Sequence, residues 1–149
     1  MKTDSMTIPR CYVPQALSPG EVIELPAGVS HHLGHVLRLR TGSDLTLFNG
    51  RGGEYTAQLV RIGKKQAQAE VGEHRDIERE SPLLLTLAQG ISRGQKMDYT
   101  IQKAVELGCQ RVIPVLNERS SIRLPDERRQ KKHEHWQNIV IAACEQCGR

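Results

Sequence analysis

The feature that most constrains this chain is a change of hydrophobic period at Pro82. Before it, apolar residues fall at alternate positions of short runs. After it come two continuous apolar runs, LLLTL at 83–87 and VIPVL at 112–116, with a helical pattern between them. Alternation with period two marks strands that bury one face, whereas an unbroken apolar run suits a strand covered on both faces, as in a parallel sheet. Residues 72–82, GEHRDIERESP, hold almost no apolar side chain and end in proline, the composition of a domain boundary. The 149 residues therefore divide into a β-rich part over 1–75, a linker over 76–82 and an α/β part over 83–149, an α+β two-domain organisation.

In the first part, strands are expected at Thr7 to Val13, Val22 to Leu25, Asp44 to Phe48, Glu54 to Ile62 and Gln66 to Val71, each bounded by turn residues. Ala67, Ala69 and Val71 alternate with polar neighbours, as do Tyr55, Ala57 and Leu59. The phase then slips at Val60 and Ile62, the sign of a bulge. One helix is expected from Ser30 as N-cap, burying Leu33, Val36 and Leu37. A small closed barrel with one helix accommodates these elements. Gly50, Gly52 and Gly53 resemble a phosphate-binding loop, but that chemistry requires a helix directly after the glycines. A strand follows here, which makes the stretch a hairpin turn.

In the second part, Ser92 and Gln95 have the spacing of a capping box, and Met97, Ile101, Ala104 and Val105 form one stripe ending at Gly108. Strand, helix and strand make a βαβ unit. A long helix begins near Pro125 and Asp126 and buries Trp136, Ile139, Val140, Ala143 and Cys147. Two strands and two helices are fewer than a doubly wound sheet uses, so the second part reads as the opening of a larger domain.

Charge points to an anionic partner. Residues 1–80 balance ten Lys and Arg against ten Asp and Glu, while residues 81–149 carry eleven against seven. The whole net charge of +4 lies in the second part, which adds Arg93, Lys96, Arg111, Arg119 and Arg123 to the run RRQKKHEHW. With one Phe, one Trp and three Tyr, the chain has few side chains on which to stack unpaired bases, which favours recognition of phosphate or shape. No apolar run approaches the roughly 18 residues of a membrane span, and a secretory leader pattern is lacking, so a cytoplasmic protein is expected. The four cysteines are then expected as free thiols.

Cys144 and Cys147 have the spacing of a redox or metal pair, but they lie at a helix C-terminus, where the dipole disfavours thiolate, and no second pair completes a zinc site. His31, His32 and His35 lack the glutamate of a zinc-protease pattern, and His133 and His135 are two apart on a helix, so no metal is expected.

SRGQKMDYTIQKAVELG, IPVLNERSSIRL and RRQKKHEHWQNIVIAACEQCGR, preceded by HHLGHVLRLRTGSDLTLFNGRGGEY, resemble consecutive blocks of the ribosomal RNA small-subunit methyltransferase E family. That resemblance implies a PUA-like RNA-binding barrel and then the first part of a SPOUT-type α/β domain. It also implies a homodimer that uses S-adenosylmethionine to methylate a uridine of small-subunit ribosomal RNA, or of the assembled small subunit, at ring nitrogen 3. The family's cofactor loops and C-terminal knot follow the EQCGR block, so the cofactor-binding residues are expected beyond Arg149 and the 149 residues alone are expected to be inactive. Carried onto this sequence, the resemblance places Arg10 on RNA, joined by Arg123, Arg128, Arg129, Lys131 and Lys132. Lys103, Glu106, Arg119, Glu145, Gln146 and Arg149 fall around the catalytic cleft. The uracil nitrogen must lose a proton to become nucleophilic, so Glu145 is the expected base, with Arg119 or Arg149 stabilising the anion. For Lys103 and Glu106, a surface ion pair at i,i+3 explains the residues equally well. The alternative for the whole chain is a non-catalytic RNA-binding module in ribosome assembly.

Overall fold

The computed structural model describes residues 8–63, 66–118 and 125–149, with the side chain of Asp126 left aside. The chain forms two compact units that divide between Glu78 and Arg79, within the stretch expected as linker.

The first unit is a five-stranded sheet of β1 (Arg10–Tyr12), β2 (Val22–Glu24), β3 (Asp44–Phe48), β4 (Glu54–Ile62) and β5 (Ala67–Arg75). Its ladder runs β1-β3-β4-β5-β2, with β1 parallel to β3 and the other pairs antiparallel. The alternation seen in the sequence is the core itself: Leu45 and Leu47 from β3, Leu59 from β4, and Ala67, Ala69 and Val71 from β5 are buried together with Ile23 and Leu33. The β4–β5 register shifts between Leu59 and Arg61, where the phase of the sequence slips, and again between Tyr55 and Ala57. The glycine-rich stretch is the β3–β4 hairpin, with Gly50, Gly52 and Gly53 all at positive φ.

The helix of this unit starts earlier than expected. Helix α1 (Ala27–His31) begins after Pro26, whose carbonyl accepts from Ser30 N at 2.8 Å, and Ser30 lies buried inside it. Ser30 Oγ donates to Leu25 O and accepts from Ala67 N, both at 3.1 Å, so the hydroxyl fastens α1 to the ends of β2 and β5 instead of capping. A π-helical turn follows over His32–Val36, and Arg38 then takes a positive φ of 53°. The wider turn rotates the following residues off the helical stripe, which buries Leu33 but leaves Val36 and Leu37 exposed.

The second unit is a βαβ unit extended by a long helix: β6 (Thr86–Gly90), α2 (Gln95–Glu106), β7 (Arg111–Val115) and α3 (Asp126–Cys147). Strands β6 and β7 pair in parallel, from Thr86 against Arg111 to Gly90 against Val115. The first strand therefore sits later than the LLLTL run: Leu83, Leu84 and Leu85 precede it and are exposed. Leu85 O accepts from Gln110 N at 2.9 Å and from Arg111 N at 3.3 Å, and the paired residues of the ladder begin at Thr86. Nor does Ser92 cap α2. Gly94, at φ 62° and ψ −146°, is the N-cap residue and turns the chain so that the helix starts at Gln95, beyond reach of the serine hydroxyl. The C-terminus of α2 is a Schellman motif: Cys109 N donates to Ala104 O at 2.8 Å and Gly108 N to Val105 O at 3.0 Å, with Gly108 at φ 89°. Met97 and Ile101 of α2 pack with Trp136 of α3, flanked by Ile91, Val112, Ile139 and Val140.

Candidate functional site

Parallel strands place ligands beyond their carboxyl ends, where loops and helix termini converge. In the second unit that edge is formed by Ile91, just after β6, and by Pro114 and Leu116 at the end of β7. Together with Arg129, Lys132 and Trp136 of α3 they line a cavity of about 230 Å³. The three α3 residues share a face because they are spaced i, i+3 and i+7. Lys132 Nζ stands 5.7 Å from the centre of the indole ring. Trp136 is 7% exposed, and its Nε1 finds no hydrogen-bond partner among the described residues. Two cations therefore border a cavity whose other walls are apolar. Of the other α3 cations expected on RNA, Arg128 and Lys131 are exposed. Arg119 and Arg123 lie outside the described residues.

The structure places Arg149 elsewhere. Its Nε donates to Glu80 Oε1 at 2.9 Å and its Nη2 to Glu80 Oε2, a two-pronged pair, while Nη1 donates to Cys109 O at 3.1 Å and to Val105 O. Most of its donors are thus spent on a clamp that joins the start of the second unit, the C-terminus of α2 and the end of α3. The hydrogen bond from Arg149 holds the Glu80 carboxyl below its ordinary range, and the same bond raises the guanidinium above its own. Beside it, Arg79 Nη1 donates to Gly148 O at 3.1 Å. A guanidinium at the last carbonyls of α2 also meets the negative end of that helix.

Lys103 and Glu106 are brought to each other: Nζ lies 2.6 Å from Oε2, and Gln102 Nε2 donates to Oε1 at 2.9 Å. The hydrogen bond from Lys103 keeps Glu106 below the usual carboxylate range, and the bond to Glu106 raises the amine. An acid held in its charged form by two donors is a poor proton acceptor, which fits the surface-pair reading of these two residues. Glu145 is half-buried on α3 and Gln146 is exposed.

Arg10 belongs to the first unit, where its Nε donates to Glu54 Oε2 at 3.0 Å and its Cζ sits 3.7 Å from the centre of the Phe48 ring. Tyr12 meets that ring edge-on at 5.6 Å. Glu54 is buried, so the pair is a desolvated charge pair seated on an aromatic face. Reading the sequence missed Glu54 and Glu80 because each partner lies far along the chain. Trp136 appeared only as a packing residue, although its spacing from Arg129 and Lys132 was a usable signal. His31 and His35 stack at 4.7 Å, and His135 Nε2 lies 2.9 Å from Asp98 Oδ2, tying α3 to α2. Among the described residues no three His, Cys, Asp or Glu side chains gather as a metal site, and none of the four cysteines forms a disulfide.

The order of the two units finds counterparts among known proteins. An RNA methyltransferase PUA domain matches residues 25–72 and an RNA methyltransferase domain matches residues 79–149, which defines the class as RNA methyltransferase-like. A ribosomal RNA small subunit methyltransferase E of Buchnera aphidicola from Schizaphis graminum is 34% identical over 142 residues, covering 95% of this chain and 58% of the relative. The Bacillus subtilis protein of that name is 33% identical over 119 residues, covering 80% and 46%. A Neisseria gonorrhoeae ribosomal RNA small subunit methyltransferase E, crystallised with S-adenosyl methionine, superposes with a TM-score of 0.91 at 46% identity over 96% of this chain and 59% of that one. A methyltransferase of Legionella pneumophila solved with the same cofactor gives 0.93 at 42% identity, covering 97% and 60%. The chain belongs to the ribosomal RNA small subunit methyltransferase E family and corresponds to its N-terminal portion. It spans less than two thirds of the length of these relatives.

Proposed function

We propose that this chain supplies the RNA-binding barrel and the opening part of the catalytic domain of an enzyme that methylates a uridine of small-subunit ribosomal RNA at ring nitrogen 3. The observation that supports this reading is the match of both units, in order, to a ribosomal RNA small subunit methyltransferase E solved with S-adenosyl methionine. The basic second unit supports a phosphate-bearing substrate. Exposed Leu83, Leu84, Leu107 and Ile113 in that unit support pairing of two subunits as a homodimer. Cytoplasmic placement fits a ribosomal substrate.

Among the described residues, the cavity beside α3 does not fit S-adenosylmethionine. A cavity of about 230 Å³ is smaller than the roughly 300–1,000 Å³ of sites that enclose ligands of that size, and its two cations repel a sulfonium. Cofactor residues are therefore assigned to the remainder of the family's length, and the 149 residues alone are inactive. Calorimetry of this chain with S-adenosylmethionine is expected to give no heat of binding; a micromolar Kd contradicts the assignment.

Within the chain, Glu145 takes the proton from uracil ring nitrogen 3. Because Arg149 is committed to Glu80 and the α2 carbonyls, stabilising the uracil anion falls to Arg119, and Arg149 fixes the helix end that carries Glu145. Arg10 orders the RNA-facing barrel from its seat on Phe48. In a protein that carries the family's full length, Glu145→Gln is expected to lower the methyl-transfer rate by about 100-fold or more with RNA affinity kept. An unchanged rate removes Glu145 from the reaction.

A further inference from the structure

We propose that the Asn49–Gly50 peptide of the β3–β4 hairpin is a site of spontaneous covalent modification. Asn49 closes on the Gly50 nitrogen as a succinimide and opens to aspartate or isoaspartate, which releases Arg10 from its seat.

The dipeptide Asn-Gly occurs once in the chain. A glycine after asparagine leaves the backbone nitrogen unshielded, because no Cβ stands beside it. The fold keeps that nitrogen open. Gly50 is exposed at φ 73°, with nothing within 4 Å of where a Cβ would stand, so water and a solvent base reach its N–H. The paired residues of the β3–β4 ladder end at Leu47 and Tyr55, which leaves the same N–H outside the ladder. Arg51 N donates to Asn49 Oδ1 at 3.0 Å, an Asx turn that folds the carboxamide back over the Asn49–Gly50 peptide. That donor stands where negative charge develops on Oδ1 during attack at Cγ, the part an oxyanion-hole N–H plays. The leaving group is lightly held, since Asn49 Nδ2 donates to Gln15 O at 3.4 Å, longer than the usual range.

The step balances with water alone. A solvent base takes the Gly50 amide proton, the nitrogen attacks Asn49 Cγ, and the Cγ–Nδ2 bond breaks as the amide nitrogen departs with a solvent proton as ammonia. Water then opens the five-membered imide at either carbonyl, and nothing is oxidised or reduced. Location gives the change its consequence. Residues 49–53 join Phe48, whose ring centre lies 3.7 Å from Arg10 Cζ, to Glu54, which accepts from Arg10 Nε at 3.0 Å. Isoaspartate lengthens the main chain by one methylene within that link, and both products add a negative charge at its start. The far end cannot take up the length, because a Cβ at Gly53 would already stand 2.5 Å from Arg75 O. The two halves of the Arg10 seat therefore move out of register.

To test this, the folded 149-residue chain, labelled with nitrogen-15, is held warm in mildly alkaline buffer beside a free peptide of residues 46–53. Peptide mapping reads the exchange of NH2 for OH, and chromatography separates the aspartate and isoaspartate forms. Asn49 is expected to convert first, with Asn117 and Asn138 slower by roughly tenfold or more, because Glu118 and Ile139 each present a Cβ to the attacking nitrogen. A rate at Asn49 below about a tenth of the free peptide's shows that the hairpin protects the site and overturns the proposal. In the converted fraction, read at neutral pH, the Arg10 Nε–H resonance, assigned by its loss in Arg10→Lys, is expected to lose the upfield shift that the Phe48 ring gives it. Asn49→Ser keeps an oxygen acceptor for Arg51 N but cannot form the imide, and its Arg10 resonance is expected to stay in place over the same period. Conversion that leaves the Arg10 resonance unmoved, or an equal drift in Asn49→Ser, overturns the link between the modification and the seat.

Discussion

Arg149 concentrates in one side chain what a reader of the sequence sees only as the end of a motif. Its position in EQCGR marks it, but Glu80, Val105 and Cys109 lie between 40 and 69 residues earlier, and no local pattern announces them. Arg149→Ala is expected to destabilise the second unit by about 2 kcal/mol, chiefly by removing a charged donor from two backbone carbonyls, since the half-exposed Glu80 end is screened by solvent. Arg149→Lys should recover little, because an ammonium cannot reach a carboxylate and two carbonyls in one fork. Thermal melts of both variants check this. The acid side follows from the direction of the Glu80 shift. A carboxyl whose folded value is lowered stabilises the fold above its unfolded value and loses that contribution as pH falls through the folded one. The difference in Tm between the natural chain and Glu80→Gln should stay level from neutral pH to about 5 and close below about 4, beneath the ordinary glutamate value of about 4.3. A difference that is flat down to pH 3 contradicts the pairing. For Arg10 the same lesson holds: its place in the chain was legible, but Glu54 became its partner only through the β3–β4 hairpin.

Among the elements, those defined by their own period were legible and those defined by tertiary contacts were not. β3 and β4 fall where alternation and turn residues place them, because a half-buried strand writes its register into its sequence. Two departures have physical causes. Ser30 gave its hydroxyl to Leu25 and Ala67 instead of to a helix cap, and the π turn displaced Val36 and Leu37 from the stripe. The C-terminus of α2 is the reverse case, since Gly108 was legible as its stop. At φ 89° and with a Cβ position 3.1 Å from Ser81 Cβ, Gly108→Ala is expected to cost about 1–2 kcal/mol, read as a shifted urea midpoint with unchanged slope. Gly53→Ala should cost more. At φ 64° its Cβ would lie 2.5 Å from Arg75 O, so the β4–β5 ladder must give way.

For the molecule as a whole, two units of different architecture follow one another, and the charge is segregated with them. The division was legible because composition, period and charge all change within residues 72–82. The cavity was not, since it needs the ends of β6 and β7 and one face of α3 assembled together. We propose that this chain grips ribosomal RNA through the cations of α3. The most direct test of this central claim is the affinity of the 149-residue chain for a small-subunit ribosomal RNA fragment as a function of salt, with and without Arg128, Arg129, Lys131 and Lys132 changed to glutamine. The account predicts that affinity falls by about 50–150-fold between 50 and 200 mM salt, the loss expected for four phosphate contacts, and that the fourfold variant loses most of that dependence. Binding that is indifferent to salt, or a variant with the same salt slope as the natural chain, contradicts it.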